Sequence, residues 1–282
     1  MKFDVSFITH KKQIMKRLLL IILLINAMQA SLFNKACAQQ ETVKQKGFAW
    51  NKKYNLDLSF GGDDQDTVKS TSAPKGRFMG GLTFTRLDIG FSRLIDNGSF
   101  SLSPKNSFLD YKDAKTSTVS FDLVYFGYRF NPNFKVYIAG GFDWTLIRLK
   151  NNITIQKNMP ELTYVEAPVD FSKNRFSSSY VHFPLNFELR TKENERGKRF
   201  YFIFGPEVSF LINGKIKQIS DERGKEKFRD DYNFQKFRVG GSARIGYGWI
   251  GLFTKYYFTD MFDSAPQEGL KNMAFGISFG LN

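Results

Sequence analysis

An all-β fold, an antiparallel up-and-down barrel of about eight membrane-spanning strands, is what this sequence predicts, on three observations. The chain is rich in rings yet polar on average: 31 Phe and 12 Tyr among 282 residues stand beside a mean hydropathy of −0.34. From residue 80 onward, apolar and polar residues alternate with period two, which sends the apolar ones to one face of a strand and the polar ones to the other. The links between these segments are short and long in turn. After residue 40 no run reaches the ~18 apolar residues of a membrane-spanning helix.

Taken in order, residues 1–38 read as a signal peptide. Lys11, Lys12, Lys16 and Arg17 precede the apolar run Leu18 to Ile25, and Ala36-Cys37-Ala38 supplies a small-residue cleavage pattern. Met15 is an alternative start. Cys37 is the only cysteine, and Asn34 stands where a lipoprotein signal has Leu, so the expectation is cleavage after Ala38 and a mature chain without disulfides or thiolate metal sites. The formal charge of +14 includes six Lys/Arg and one Asp in the leader, which leaves +9 on the mature chain. A basic exported protein meets lipopolysaccharide and other polyanions. Nucleic acid is not expected, because the basic residues are scattered among acids and form no recognition motif.

Residues 39–79 read as a polar periplasmic extension with one short strand at Tyr54, Leu56, Leu58 and Phe60. The acids of Gly61-Gly62-Asp63-Asp64-Gln65-Asp66 lack the spacing and terminal Glu of a calcium loop and read as a solvated turn. The barrel is expected over 80–282. Its clearest strand places Phe200, Phe202, Phe204, Val208, Phe210 and Ile212 on one row, interrupted only by Pro206. At this composition, six such positions are all hydrophobic in about 0.5% of windows. Pro206 suggests a bulge or a weak point in the ladder.

Similar rows fall at 178–190, 236–247 and 271–282, with further strands near 82–94, 116–130, 134–149 and 249–259. The short links are Asn131-Pro132-Asn133, Thr191 to Lys198 and Tyr247-Gly248-Trp249, and the long polar ones are 95–115, 150–177, 213–235 and 260–270. Outer-membrane barrels have this asymmetry, with short periplasmic turns and long external loops. Tyr247 and Trp249, beside a short turn, suit the inner aromatic girdle.

On these residues rests a resemblance. His182-Phe183-Pro184-Leu185, Phe204-Gly205-Pro206-Glu207, Arg229-Asp230-Asp231-Tyr232-Asn233 and Ala243-Arg244-Ile245-Gly246-Tyr247-Gly248, with Asn97 to Leu102, resemble the porin-like outer-membrane β-barrel domain family of Gram-negative bacteria. The resemblance spans roughly 80–282 and implies a fold and a location, but no common reaction and so no catalytic residues or cofactors. One departure is the end, Gly280-Leu281-Asn282, where many such barrels have an aromatic residue.

An eight-strand barrel is just wide enough for its own side chains. The inward candidates are Asp88, Asp122, Asp143, His182, Glu188, Glu207, Arg238, Arg244 and Lys255. Both charge signs are present, as a buried polar core requires, and Glu207 is expected to pair with Arg238 or Arg244 from a neighbouring strand. His182 is the single histidine after the leader; with Ser179 and Glu188 nearby it is the one candidate hydrolase base. Asn152-Ile153-Thr154 reads as an accidental sequon.

The expected function is a structural or surface-binding outer-membrane barrel, not an enzyme, with both termini periplasmic. Its expected partners are membrane lipid and lipopolysaccharide, and a surface partner at loops 150–177 and 213–235. The rivals are a narrow pore, an outer-membrane lipid or protein hydrolase, and a soluble lipocalin-like barrel with its apolar rows turned inward.

Overall fold

The computed structural model describes residues 76–280 and the backbone of Leu56–Leu58. The leader, the rest of the 39–79 stretch and the two C-terminal residues lie outside the described residues.

Among the described residues, twelve strands follow in chain order. They are β1 (Leu56–Leu58), β2 (Arg77–Asp96), β3 (Ser117–Asn131), β4 (Phe134–Arg148), β5 (Ile153–Ile155), β6 (Tyr164–Glu166), β7 (Lys173–Arg190), β8 (Phe200–Ser220), β9 (Gly224–Asp230), β10 (Phe237–Tyr247), β11 (Ile250–Tyr257) and β12 (Leu270–Gly280). Eight of them pair antiparallel around a closed ring in the order β2-β3-β4-β7-β8-β10-β11-β12, with β12 returning to β2. Closure removes the unpaired edges that an open sheet leaves, the condition for backbone to cross hydrocarbon. β1 adds a short parallel pairing on β2 at Phe78–Gly80.

The alternation decides which side of the ring meets lipid. Outward positions carry Leu82, Ile89, Phe126, Phe183, Phe202, Phe210, Leu252 and Ile277, all at least 40% exposed, whereas Arg238, His182 and Arg244 inside are at most 1% exposed. A soluble lipocalin-like barrel requires the opposite arrangement, so that rival is overturned.

At the short-turn end, β3 joins β4 at Pro132-Asn133, and β10 joins β11 at Gly248-Trp249, where Gly248 has φ +61°. The Tyr247 hydroxyl is 2.5 Å from the Asn194 side-chain amide in the β7–β8 link, tying two turns together.

Three sequence expectations are corrected. The 213–235 segment is not a loop: β8 runs on to Ser220, turns at 221–223 and returns as β9, paired Gly214↔Asp230 through Ser220↔Gly224. The 150–177 segment holds the β5–β6 hairpin and the first residues of β7. Pro206 causes no bulge: the β7–β8 pairing lapses between Glu207 and Phe204 without changing register, while β10 pairs straight through Pro206. The bulge comes later, where Ser179↔Asn213 is followed by Tyr180↔Leu211 and Ile212 is the extra residue. It moves the outward phase of β8 from even to odd positions, which the polar stretch beyond gave no apolar row to reveal.

Candidate functional site

The ring interior has two layers of different chemistry. The lower is the polar network. Asp143, His182, Glu188, Glu207, Arg238, Arg244 and Lys255 are all buried, but they fall into separate groups. Arg244 donates to one Asp88 oxygen at 2.8 and 3.1 Å. Lys255 lies 3.3 Å from Glu207, donates to the Ser120 hydroxyl at 2.8 Å, and sits 3.4 Å from His182 Nδ1. His182 Nε2 is 2.9 Å from Asp122, and its Nδ1 is 3.5 Å from Glu207. The Tyr257 hydroxyl bridges the Asp143 and Glu207 carboxylates, 3.0 Å from the latter. Arg238 is held by faces: its guanidinium carbon lies 3.5 Å from the Tyr180 ring centroid and 3.9 Å from that of Tyr257, with Asp143 at 3.7 Å. Glu188 stands apart, nearer the short-turn end, with Lys135 at 3.3 Å and Arg190.

Glu207 therefore pairs with neither Arg238 nor Arg244, and that expectation is corrected. The reason lies in register. Opposite Glu207 on β10 stands Gly240, and opposite Gly240 on β11 stands Tyr257. The glycine leaves a gap through which Tyr257 reaches Glu207; a Cβ at Gly240 would sit 2.9 Å from the Tyr257 ring. The row Asp122↔Gly141↔His182 repeats the device, and a Cβ at Gly141 would sit 2.8 Å from His182 Nε2. Charges thus meet two strands apart, across a glycine.

The hydrolase constellation does not assemble. Ser179 is three residues from His182, so it faces the opposite side of β7. Glu188 faces inward but lies six residues along, roughly 20 Å of strand. The imidazole is engaged by Asp122, Glu207 and Lys255 instead. Among the described residues there is no metal-ligand cluster. Below this network, at the short-turn end, a cavity of about 300 Å³ is lined by Arg86, Lys135, Tyr137, Glu188, Arg190 and Tyr201.

The upper layer is apolar and escaped the sequence reading. The long-loop ends of the strands point Leu94, Ile147, Phe176, Ile216 and Leu270 inward, and the loops return Phe108, Leu109, Ile155, Leu162, Phe234 and Phe262 onto them. The Phe176 ring is the hub, stacked on Phe234 at 4.7 Å and on Phe262 at 6.0 Å, with Tyr232 edge-on at 5.5 Å. The mouth is plugged by the protein's own loops.

Asp96, at the top of β2, pins the first of these loops. Its carboxylate accepts from the Ser103 N–H (2.7 Å), the Ser103 hydroxyl (2.6 Å) and the Asn106 amide (2.9 Å). Burial raises its pKa, but the Ser103 and Asn106 hydrogen bonds outweigh burial and hold it below the ordinary value. A group depressed in the folded state stabilises above its unfolded pKa of about 3.9 and loses that contribution as pH falls through the folded value. The 97–106 loop is therefore expected to open below pH ~4 and not above pH ~5. Amide exchange at Ser103 and Asn106, corrected for its intrinsic pH dependence, reads this directly. In Asp96→Asn the loop should exchange faster at neutral pH and show no further acid step.

Residues 146–263 match the family profile described as outer membrane protein beta-barrel domain. No curated protein matches the chain. Two solved structures are similar to it. One is Ail, the attachment invasion locus protein of Yersinia pestis, at 13% identity over 70% of this chain and 95% of that one, TM-score 0.31. The other is the same protein in complex with the heparin analogue sucrose octasulfate, at 12% identity over 73% and 98%, TM-score 0.31. The matched stretch contains β7, β8, β10 and β11 entire, half of a closed ring with lipid-facing apolar rows. Residues 146–263 are thus similar to the outer membrane protein β-barrel domain family.

Proposed function

We propose that this protein is a structural, surface-presenting barrel: it anchors a rigid folded cap on the outer face of the outer membrane and neither conducts ions nor hydrolyses lipid or protein. In this reading residues 1–38 are removed on export, 39–79 stay in the periplasm, both termini are periplasmic and the long-loop end faces out. The observation that carries it is the stacking of two closed layers inside one ring. Paired charges fill the part level with lipid, and the Phe176 plug covers them at the mouth. A pore would need a continuous wet path. Here Arg238 lies clamped between two tyrosine rings directly beneath an apolar plug. A hydrolase would need a nucleophile within reach of His182, whose ring nitrogens are engaged by acids and a lysine. Surface binding is left to the exposed face of the cap.

The test is the full protein in planar bilayers and on gels. Unheated protein should migrate apart from boiled protein and remain with outer-membrane fractions, and bilayers should show no stepwise conductance. Regular single-channel steps that respond to Glu207→Gln would overturn the packed reading. Recovery of the mature protein from soluble fractions without detergent would overturn the membrane reading altogether.

A further inference from the structure

Above the lipid-facing rows, one outward face of the ring carries a single sign of charge. On β7 the outward parity runs from Phe183 and Val181 through Ser179 to Arg175 and Lys173, with Ser177 between them buried and donating to the Lys215 carbonyl. Past the Ile212 bulge, β8 turns Lys215 and Lys217 outward while Ile216 and Gln218 are buried. β9 sorts its charges by face, with Lys225, Lys227 and Arg229 opposite Ile219, Lys217 and Lys215. β4 contributes Arg148. The registers join these into one row, Arg148↔Arg175↔Lys217↔Lys227, which crosses four strands, with Lys215↔Arg229 on one side and Lys173 and Lys225, both opposite Ile219, on the other.

Strands lie about 4.8 Å apart and alternate residues about 6.6 Å, so eight cations occupy a patch of roughly 15 by 14 Å. Among the described residues none of the eight is in an ion pair; Arg148 donates to the Ser172 carbonyl at 2.6 Å. Partial burial, and after it the neighbouring cations, push Lys173, Lys215 and Lys217 below the ordinary lysine value. Like charges directly opposite on a sheet destabilise it, so folding alone gives no reason to gather them.

Direction and height name the counter-charge. The face looks sideways, along the membrane plane, not up into the medium. Trp144 stands on the same β4 row as Arg148, stacked on Phe142, and an outward tryptophan marks the membrane–water interface. Arg148 lies four residues past it, roughly 13 Å of strand, which is the depth of the head groups and first sugars of a neighbouring lipid.

We infer that the Arg148, Arg175, Lys215, Lys217 and Lys227 face binds the phosphorylated inner sugars of lipopolysaccharide in the same leaflet. The inference rests on the outward orientation proposed above. The shared chemistry is a rigid array of cations matched to clustered phosphates, each contact strengthened by the low dielectric of the sheet beneath.

The test uses full-length protein in detergent and, as probe, lipopolysaccharide freed of its acyl chains, with its phosphates intact or removed by phosphatase. The phosphorylated sugar should bind and weaken with rising salt, and the dephosphorylated sugar should not bind. The triple variant Lys215→Gln, Lys217→Gln, Lys227→Gln should bind roughly 10- to 100-fold more weakly, while its unheated gel mobility stays native. Lys→Arg at the same three positions should retain binding. Equal binding of both sugars, or an unaffected Gln variant, overturns the proposal. Tighter binding of a sulfated glycosaminoglycan fragment than of the phosphorylated sugar at about 0.15 M salt also overturns it, in favour of a ligand from outside. Orientation is read separately by labelling Glu222→Cys, at the tip of the β8–β9 turn, in intact cells with an impermeant maleimide. An unlabelled tip sinks the outward orientation, whereas a labelled tip with unaltered binding in the Gln variant sinks only the site.

Discussion

Glu207→Lys is expected to abolish the folded barrel or to lower its stability by at least 3–5 kcal/mol, about the loss that follows when one partner of a buried ion pair is removed. Glu207 is buried, and around it stand Lys255 at 3.3 Å, His182 at 3.5 Å and the Tyr257 hydroxyl at 3.0 Å. A lysine there sets an ammonium against Lys255 in a region that water does not reach, and it also removes an acceptor from Tyr257. Glu207→Gln should cost less, because the amide oxygen still accepts from Tyr257. The exchange Glu207→Lys with Lys255→Glu should recover part of the loss, since the pair survives with its ends reversed. Urea unfolding in lipid vesicles, followed by unheated gel mobility, measures all three. An unchanged midpoint for Glu207→Lys would mean that the interior is wet and the charges independently solvated, and the packed-core reading would fall with it.

The partner of Glu207 shows how much of the site the sequence holds. That Glu207 faces inward was legible, because Phe202, Phe204, Phe210 and Ile212 face out on the same strand and parity does the rest. Its partner was not legible. Adjacent strands suggested Arg238 or Arg244, but opposite Glu207 is Gly240, and Lys255 arrives from the strand beyond. Arg244 finds Asp88 from β2, three strands on. Strand stagger and the diameter of a closed ring set such meetings, and neither is written in local pattern. The β8–β9 hairpin hid for another reason. Its outward row is Lys215, Lys217, Lys225, Lys227 and Arg229, so period two is present but carried by charge, which a search for apolar rows passes over. The plug was least legible. Phe108, Leu109, Phe234 and Phe262 sit singly or in pairs among polar residues, without period, and become a core only once four loops converge.

That convergence supports the second large effect. Phe176→Ala should cost the loop end about 3–5 kcal/mol, as for a fully buried aromatic truncated in a core, because the ring touches three others and is 0% exposed. The loss should stay local. Phe176 lies on β7 six residues above His182, roughly 20 Å of strand, and the ladder and ion pairs below depend on none of its contacts. The variant should therefore insert, keep its unheated mobility and unfold in urea near the normal midpoint, while trypsin cuts within 97–116, at Lys105, Lys112 or Lys115, at rates that leave the native protein intact. Conductance should stay absent, because the Tyr180–Arg238–Tyr257 stack still closes the ring beneath the loosened loops. Loss of heat-modifiability together with loop cutting would show the two layers to be one cooperative unit. Channel steps appearing in Phe176→Ala would show that the plug alone keeps the interior shut, and the ring would then be a gated pore and not a solid anchor.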